Sequence, residues 1–404
     1  MLKNIIYSLL EKRHFWRYAS FSEIAELYAS RTLRTAAIHL ASGFASVYLY
    51  QEGYGLPWII SFWLLYFTLK IPFTFFAGHL AAWFGPKHGI LFSNLLSIPA
   101  MAVFGFVPEL GVWAIIIWGI LTCLSSSIYQ LCYTIDFSKV KDAKHAGKEI
   151  AFMNILDKIA VGTTPLLGGV IALFFGPQVV MWVAAVFYAV AALPLLLTIE
   201  PLHIYQRLMY RGFRWSLALK SILSQVGIGF DVVTTGTAWN LFIAIAIFPN
   251  EGDDAYVMLG ALSSVTIVAA IAASYTYGKL IDRRQGGRLL RYSVIGNALV
   301  HASRPFAVTP ASIVGTNITN EVATMGYTMA YTRGLFDTAD ISGHRILYLV
   351  LMEAMANLGA VIACIALLIC ISFSGNDGGL RAFFFVAAGF VLLIGTARFQ
   401  LYRR

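Results

Sequence analysis

Several ionisable side chains lie in the middle of long apolar stretches, where a charge is costly and usually serves a function. Glu321 is the clearest of them, because it lies midway along the stretch 309–333. A carboxylate at that depth is poorly solvated and could exchange protons near physiological pH. We expect Glu321 to bind the coupling proton or a cation; the alternative is a buried acid that pairs structurally with a neighbouring base.

Polar and aromatic side chains at similar depth complete a predicted binding site. Asn317 and Asn320 share part of the helical face of Glu321. His39 lies at mid-depth in its own stretch, where its alternative role is that of a hydrogen-bonded packing residue. The predicted substrate- and proton-binding residues are Glu321, His39, Asn317, Asn320, Tyr129, Tyr133, Trp239 and Asn240. Aromatic walls with a few polar groups are the usual composition of a ligand site.

The composition shows which elements must position these residues. Of the 404 residues, 59% are hydrophobic and only 12% are charged, and the mean hydropathy is +0.73. Globular domains carry roughly 25% charged residues, so a water-soluble protein of this size could not cover its surface. Apolar stretches long enough to cross a bilayer recur along the whole chain. The sequence therefore predicts an all-α polytopic membrane protein that is embedded in a lipid bilayer.

The charges and cysteines argue against several other classes of function. The net charge is +9, but the basic residues lie between the apolar stretches, so we expect no nucleic-acid partner. All four cysteines lie inside apolar stretches, which predicts neither a disulfide nor a metal site. We also find no Walker phosphate-binding loop and no catalytic cluster on one loop, so we expect no cofactor and no enzyme activity.

Twelve membrane-spanning helices, numbered span 1 to span 12, fit the apolar stretches and the turns between them. Their predicted ranges are 22–50, 56–83, 88–107, 110–135, 149–175, 178–199, 215–248, 255–281, 289–307, 309–333, 344–373 and 379–402. The predicted divisions are an interfacial segment 1–20, a six-helix half 21–200, a cytoplasmic linker 201–214 and a second six-helix half 215–404.

The basic residues also predict the orientation in the membrane. Most of the 29 lysines and arginines lie in the termini or in loops that follow even-numbered spans. Among the loops on the other side, only those with Arg304 and Arg381 contain a basic residue. The positive-inside rule then places both termini in the cytoplasm. We expect a multi-pass protein of the inner or plasma membrane.

A short sequence pattern occurs twice in the chain, about 200 residues apart. Residues 278–288 read GKLIDRRQGGR and residues 78–88 read GHLAAWFGPKH, and each follows a long apolar run. Two halves of six helices in the same orientation produce a pseudo-twofold axis along the membrane normal. The repeat therefore predicts that equivalent spans of the two halves take equivalent places.

The second copy contains the loop signature of a known family. The pattern is G-x-x-x-D-R-x-x-x-R, and the residues that match are Gly278, Asp282, Arg283 and Arg288. Gly78 begins the first copy, in which Ala82 stands in place of the acid. From the signature, its position between spans 8 and 9, and the repeat, the chain resembles a transporter of the major facilitator superfamily from about residue 20 onward.

The resemblance implies a gate on the cytoplasmic side. Asp282 would meet the start of span 5 and the base Arg333 at the end of span 10, which would hold that side closed. Because position 82 is alanine, the reciprocal latch lacks its acid, and we expect an asymmetric gate. The alternative is that Asp282 only caps a helix.

The resemblance also assigns the spans to two environments. Spans 1, 4, 7 and 10 would line a central cavity, and spans 2, 5, 8 and 11 would form the interface between the halves. The predicted interface residues are Lys70, Glu353, Asn357, Asp157, Lys158, Pro165, Gly168 and Gly169. Lys70 would pair with Glu353 across the interface. Asp157 and Lys158 would lie opposite span 8.

Charges in the inner halves of spans 1 and 7 have a different predicted role. The residues are Glu23, Glu26, Ser30 and Arg34 on span 1 and Asp231 on span 7. We expect them to form ion pairs within a gate or within one half rather than contacts with a substrate.

A partial motif in span 5 suggests the direction of transport. Pro165-x-x-Gly168-Gly169 resembles the end of a motif that marks proton-exchanging exporters of this family, although Thr164 stands where a glycine is expected. The alternative is ordinary small-residue packing. The sequence as a whole predicts proton-coupled export of a small molecule by alternating access. The alternatives are facilitated uptake of a polar nutrient and a non-transporting receptor or lipid-handling protein of the same fold.

Overall fold

A computed structural model describes residues 21–41, 45–140, 146–196, 208, 210–247, 261 and 265–402. The described residues are almost entirely helical and contain no β-strand. The predicted interfacial segment 1–20 and most of the predicted linker 201–214 lie outside the described residues.

The first half contains the helices of spans 1 to 6. Span 1 comprises Phe21–Ala41 and Ala45–Gln51, span 2 is Leu56–Phe84, span 3 is Pro86–Phe104, span 4 is Val112–Val140, span 5 is Ala146–Phe175 and span 6 is Pro177–Ala192. A short helix, Val107–Leu110, connects spans 3 and 4, and a 3-10 turn, Leu193–Leu196, follows span 6.

The second half contains the helices of spans 7 to 12. Span 7 comprises Trp215–Val233, a π-helical segment Thr234–Ala238, Trp239–Phe242 and a second π-helical segment Ile243–Ile247; span 8 is Ile267–Asp282, span 9 is Gly286–Ser303, span 10 is Pro310–Ser342, and spans 11 and 12 lie within Arg345–Val391. The 3-10 turns in this half are Arg304–Phe306, Leu392–Thr396 and Gln400–Tyr402.

Two of the predicted C-terminal helix ends are wrong by nine residues or more, and the span 6 helix also ends early, at Ala192 rather than at 199. The span 10 helix continues to Ser342 rather than ending at 333, and the span 12 helix ends at Val391 rather than at 402. Spans 11 and 12 meet at Gly375, whose φ of 71° lies in the left-handed region that glycine tolerates. One glycine with non-helical φ and ψ therefore separates two spans for which the sequence predicts a longer loop.

Proline sets the start of several spans, because its missing N–H costs nothing in the first helical turn. Pro86 and Pro177 each begin a span directly after a glycine with φ near 85°. Span 10 begins at Pro310 with a capping box in which Thr309 and Ser312 exchange side-chain-to-backbone hydrogen bonds. These local signals reverse the chain at the membrane surfaces.

Six helical stretches among the described residues are apolar and long enough to cross a membrane, and one of them, Arg345–Thr396, contains two predicted spans. Other spans fall short because they are more polar or shorter. Span 1, for example, carries Arg31 and Arg34, and the described part of span 8 has 16 residues. Large apolar side chains such as Phe174 and Phe373 are 73% and 85% exposed, which suits a surface that faces lipid.

The spans pack in the arrangement that the repeat predicts. Span 1 contacts spans 5 and 6, span 3 contacts spans 4 and 6, and span 7 contacts the helix that holds span 11. Between the halves, span 2 packs against span 11 and span 5 packs against span 8. We call inner the side on which the loops after even-numbered spans lie, and outer the opposite side. Each side has a cluster of buried apolar residues to which both halves contribute.

Candidate functional site

An ion pair joins the two halves near the middle of the membrane. The Nζ of Lys158 on span 5 lies 2.7 Å from Oε1 of Glu321 on span 10, and the side chains are only 23% and 16% exposed. Lys158 joins the two halves, as predicted, but its partner lies on the cavity-lining span 10 rather than on span 8. Glu321 therefore has the neighbouring base that one of its two predicted roles requires.

A second ion pair lies beside the first, within the first half. Arg31 on span 1 donates to both carboxylate oxygens of Asp157, at 3.0 and 2.8 Å from Nε. Asp157 also accepts a hydrogen bond from Thr35 at 3.3 Å. The prediction that Asp157 lies opposite span 8 is thus wrong, because consecutive helical residues point about 100° apart. His39, one turn beyond Thr35, is half-buried and within electrostatic range of Lys158 and Asp157.

Aromatic side chains of span 4 form a column along this cluster. Tyr129 stacks on Tyr133 with ring centroids 5.7 Å apart, and Tyr133 stacks on Phe137 at 5.9 Å. The guanidinium of Arg31 lies 4.1 Å from the ring centroid of Tyr133, and that of Arg34 lies 4.0 Å from the centroid of Tyr129. Cations over tyrosine faces at this distance are favourable, so the column supports both arginines.

Arg34 lies in the interior of the first half and is 3% exposed. Its guanidinium donates to Asn94 Oδ1 at 2.7 Å and to Ser125 Oγ at 3.1 Å, and it lies near Ser93 and Ser97. All of these partners are neutral. The prediction of an ion pair for Arg34 is therefore wrong within the described residues.

Glu26 is another of the span 1 residues that we expect in an ion pair, and it does form one. Glu26 lies 3.1 Å from Nζ of Lys87, at the inner ends of spans 1 and 3, and both residues are buried. Ser30 accepts a hydrogen bond from the amide of Asn94 at 3.2 Å. The inner part of span 1 is thus fixed to span 3 by polar contacts.

A further cross-half pair connects spans 2 and 11. Lys70 Nζ lies 3.8 Å from Glu353 Oε1, and Asn357 donates to the hydroxyl of Thr74 at 3.3 Å. Lysine in the first half thus faces glutamate in the second half at two places, here and at Lys158.

The polar side chains of span 10 reach three different neighbours: Glu321 pairs with span 5, Asn317 with span 7 and Asn320 with the turn after span 9. Asn317 accepts from the indole N–H of Trp239 at 2.8 Å, and Asn320 accepts from Arg304 at 3.0 Å. The expectation that Asn320 shares the face of Glu321 is wrong, because its side chain turns toward span 9. Asn240 donates to the backbone carbonyl of Gly236 on its own helix, at 3.0 Å.

Arg304 is fully buried, although the sequence places it in a loop on the outer side. Its guanidinium reaches Asn320 and the carbonyl of Thr234, and it lies 4.7 Å from the ring centroid of Trp239. The prediction fails because a 3-10 turn after span 9 carries the side chain back into the bundle.

Asp231 forms the centre of a buried cluster in the second half. Its Oδ1 lies 2.6 Å from Nε2 of His301, and its Oδ2 accepts from the hydroxyl of Tyr327. The sequence reading missed His301, Arg304 and Tyr327. The repeat was a signal that could have found Tyr327, because Tyr331-Thr332 repeats Tyr133-Thr134 and the same spacing pairs Tyr327 with Tyr129.

Close contacts between the halves seal the inner side. A Cβ atom added to Gly78 would come within 2.6 Å of Val350 on span 11, and Phe137 contacts Phe336 with ring centroids 5.9 Å apart. On the outer side, Ala45–Gln51 of span 1 contacts Trp239–Phe242 of span 7. The polar residues between them therefore lie in a region that both sides enclose.

The residues of the loop signature lie at the inner ends of spans 8 to 10. Gly278 is buried, Asp282 ends the span 8 helix and is half-buried, and Arg283 and Arg288 are exposed. Arg333 is half-buried near the inner end of span 10. The latch between Asp282 and Arg333 stays a prediction.

Span 5 makes close contacts with both halves in and near the partial motif. A Cβ atom on Gly168 would come within 2.5 Å of the backbone oxygen of Leu40 on span 1, whereas one on Gly162 would meet Ile267 of span 8 at 2.8 Å. Placing Gly168 at the interface between halves is therefore wrong, since the close approach there belongs to Gly162. Pro165 and Gly169 are buried in the same helix.

Comparison with known proteins agrees with this architecture. The family model described as Major Facilitator Superfamily matches residues 27–336. No curated protein sequence matches the chain.

Several solved structures share the fold. The E. coli fucose:proton symporter is 14% identical with a TM-score of 0.64, and the match covers 93% of this chain and 98% of that one. A human organic anion transporter is 11% identical with a TM-score of 0.67, over 93% and 99% of the two chains. A bacterial homologue of the iron transporter ferroportin, in an outward-facing state, is 14% identical with a TM-score of 0.70, over 96% and 100%. At such identities the likeness is one of fold.

Proposed function

The chain belongs to the major facilitator superfamily, and we propose that it is a secondary active transporter that exports a small molecule in exchange for protons. The transporting units would be the two six-helix halves, 21–200 and 215–404, which rock about the midplane. The observation that supports this most is the ion pair between Lys158 and Glu321, because it joins the halves at the depth where a substrate would bind.

The pair is suited to couple proton movement to a conformational change. When the halves separate, an amine and a carboxylate that neutralise each other would be left apart in a region of low polarity, and an unpaired buried charge costs several kcal/mol. A proton on Glu321 removes one of these charges and so eases the separation, and a substrate that binds best when the pair is ionised would displace that proton. The halves would then move with either the proton or the substrate bound, as exchange requires.

The pair between Lys70 and Glu353 would act in the same way at the interface of spans 2 and 11. Its longer distance of 3.8 Å indicates a weaker contact than the one at Glu321. We therefore assign the proton to Glu321 and a supporting gate role to Lys70 and Glu353.

The direction of transport, export, rests on the partial motif Pro165-x-x-Gly168-Gly169. The similar structures named above include a proton symporter, an anion transporter and an iron-transporter homologue, so the fold does not select one direction or cargo. Facilitated uptake of a polar nutrient is the second candidate. The predicted membrane is the inner or plasma membrane, with both termini in the cytoplasm.

Ligand-induced proton release by the purified protein tests the proposal. A panel of small compounds would be added to weakly buffered protein, while tryptophan quenching reports binding and a pH indicator reports protons. We expect at least one compound to bind and release protons from the wild type, and Glu321→Gln to bind without release. The control is Asp340→Asn, an acid on the same helix whose side chain is 39% exposed. Binding without proton release in the wild type would overturn the proton-coupled proposal.

A further inference from the structure

Arg34 is a buried cation for which the described part of the structure offers no carboxylate. Its guanidinium donates to Asn94 and Ser125, which are neutral, and its Nε has no acceptor. With 3% exposure the side chain is also cut off from solvent. A charge in this environment is expensive unless a function requires it.

A comparison of all charges at this depth shows that Arg34 is in excess. The described mid-membrane cations are Arg31, Arg34, Lys70, Lys158 and Arg304, and the carboxylates are Asp157, Asp231, Glu321 and Glu353. Three carboxylates pair with Arg31, Lys70 and Lys158. Asp231 bonds His301 and Tyr327 and lies within electrostatic range of Arg304. With His39 and His301 neutral, one positive charge remains, and it belongs to Arg34.

The polar groups at Arg34 that still lack a partner are hydrogen-bond donors. The hydroxyl of Tyr129 is buried beside Arg31, from which its oxygen can only accept, so its own O–H has no acceptor among the described residues. Its ring covers the Arg34 guanidinium at 4.0 Å. Arg31 lies within electrostatic range of the same tyrosine. The Nε–H of Arg34 and the O–H of Tyr129 lie beside two guanidinium groups. An anion can accept hydrogen bonds from both, whereas a cation cannot.

We infer that the transported compound carries one negative charge, as a carboxylate does, and that this group binds at Tyr129 and Arg34 in the first half. The inference rests on the proposed transport function and names its substrate class. A monoanion would cancel the excess charge, and its apolar part would find the stacked rings of Tyr129 and Tyr133. A cationic compound would instead add a second uncompensated charge.

Matched compounds in which only the charged group differs test this inference. We would use carboxylate, amide and amine triplets on alkyl, benzyl and indole frames, with the protein in an uncharged detergent so that no lipid phosphate competes. The readout is the midpoint of thermal unfolding as a function of compound concentration. We expect at least one carboxylate to bind about tenfold or more tightly than its amide, since a charge-assisted hydrogen bond is worth about that factor.

Two variants separate a binding role from a structural one. Arg34→Gln keeps an amide donor for Asn94 but removes the excess charge, so the ligand-free protein should unfold at an equal or higher temperature and lose the carboxylate preference. Lys87→Gln removes a buried cation that does have a carboxylate partner, Glu26. It should unfold at a lower temperature and keep the preference.

The possible outcomes are distinct. If no carboxylate is preferred, or if Arg34→Gln loses stability as Lys87→Gln does and keeps the preference, the inference is overturned. If an amine or amide binds best and still releases protons in a manner that depends on Glu321, this inference fails while the transport proposal stands. If nothing that binds releases protons, the proton-coupled proposal is the one that fails.

Discussion

Arg34 and Asp231 are buried residues of opposite charge on the first helices of the two halves. Each lies on the first helix of its half and meets a tyrosine of the fourth helix: Arg34 lies over the ring of Tyr129, and Asp231 accepts from the hydroxyl of Tyr327. Each also reaches the third helix of its half, through Asn94 and His301 respectively. Each half thus holds a buried charge between its first, third and fourth helices, and the two charges have opposite sign.

Replacing Asp231 by Asn should destabilise the second half strongly. His301 and Tyr327 both lose a charged acceptor in a buried site, and breaking such a cluster costs about 3–5 kcal/mol. Thermal unfolding in detergent would measure the loss. Asp340→Asn is the control; it removes only a half-exposed ion pair with Arg345 and should change the free energy of unfolding by no more than about 1 kcal/mol. Equal stability of the two variants would contradict the structural role of Asp231.

The ion pair between Lys158 and Glu321 should give a clear coupling energy. Lys158→Gln and Glu321→Gln each leave one buried charge without its partner, whereas the double variant leaves none. We therefore expect the double variant to be more stable than either single one, with a coupling of about 1–3 kcal/mol in a double-mutant cycle. Additive effects would show that the two side chains do not interact in the folded protein.

A side chain at Gly78 should hinder closure of the inner side. A Cβ atom there would lie 2.6 Å from Val350 of the other half, so Gly78→Ala should favour the conformation that is open on that side. A cysteine in place of Ser138, which is buried at the inner end of span 4, would then react faster with a membrane-impermeant maleimide. Gly315→Ala is the control, because nothing lies within 4 Å of its added Cβ. An unchanged labelling rate in Gly78→Ala would contradict this account of the gate.

Alanine at Gly168 should weaken the packing of span 5 on span 1. The added Cβ would approach the backbone oxygen of Leu40 to 2.5 Å, which a rotamer change cannot relieve, and overpacking costs about 1–3 kcal/mol. Gly389→Ala meets nothing within 4 Å and should be neutral or stabilise the protein slightly. If Gly389→Ala instead unfolds at the lower temperature, the close approach between Gly168 and Leu40 does not exist in the folded protein.

The fold could be predicted from the sequence because its signals are long and repeated. Apolar stretches, turn residues and a loop signature that recurs in degenerate form all act along the chain, and none depends on the exact rotation of a helix. Gly375 is an example of a local feature that such long signals do not predict. A single residue with positive φ replaces a loop, and the pattern of glycines around it does not reveal which one turns the chain.

The contacts of the site depend on helix rotation, and the sequence fixes that less well. Depth alone grouped Asn320 with Glu321, yet adjacent residues on a helix point about 100° apart, so the two side chains reach different spans. The same geometry separates Asp157 from Lys158. The contacts of Arg304 could not be predicted for another reason, because its side chain returns to the bundle from a turn outside the helix.

The most direct test of the account is coupling in proteoliposomes that contain either the wild type or Glu321→Gln. The radiolabelled compound would be the one that most raises the unfolding midpoint, and both its exchange across the membrane and its response to an imposed pH gradient would be measured. The account predicts that the wild type exchanges the compound and is driven by the gradient, while Glu321→Gln exchanges it and ignores the gradient. A variant that follows the gradient as the wild type does would contradict the role of Glu321 as the proton carrier.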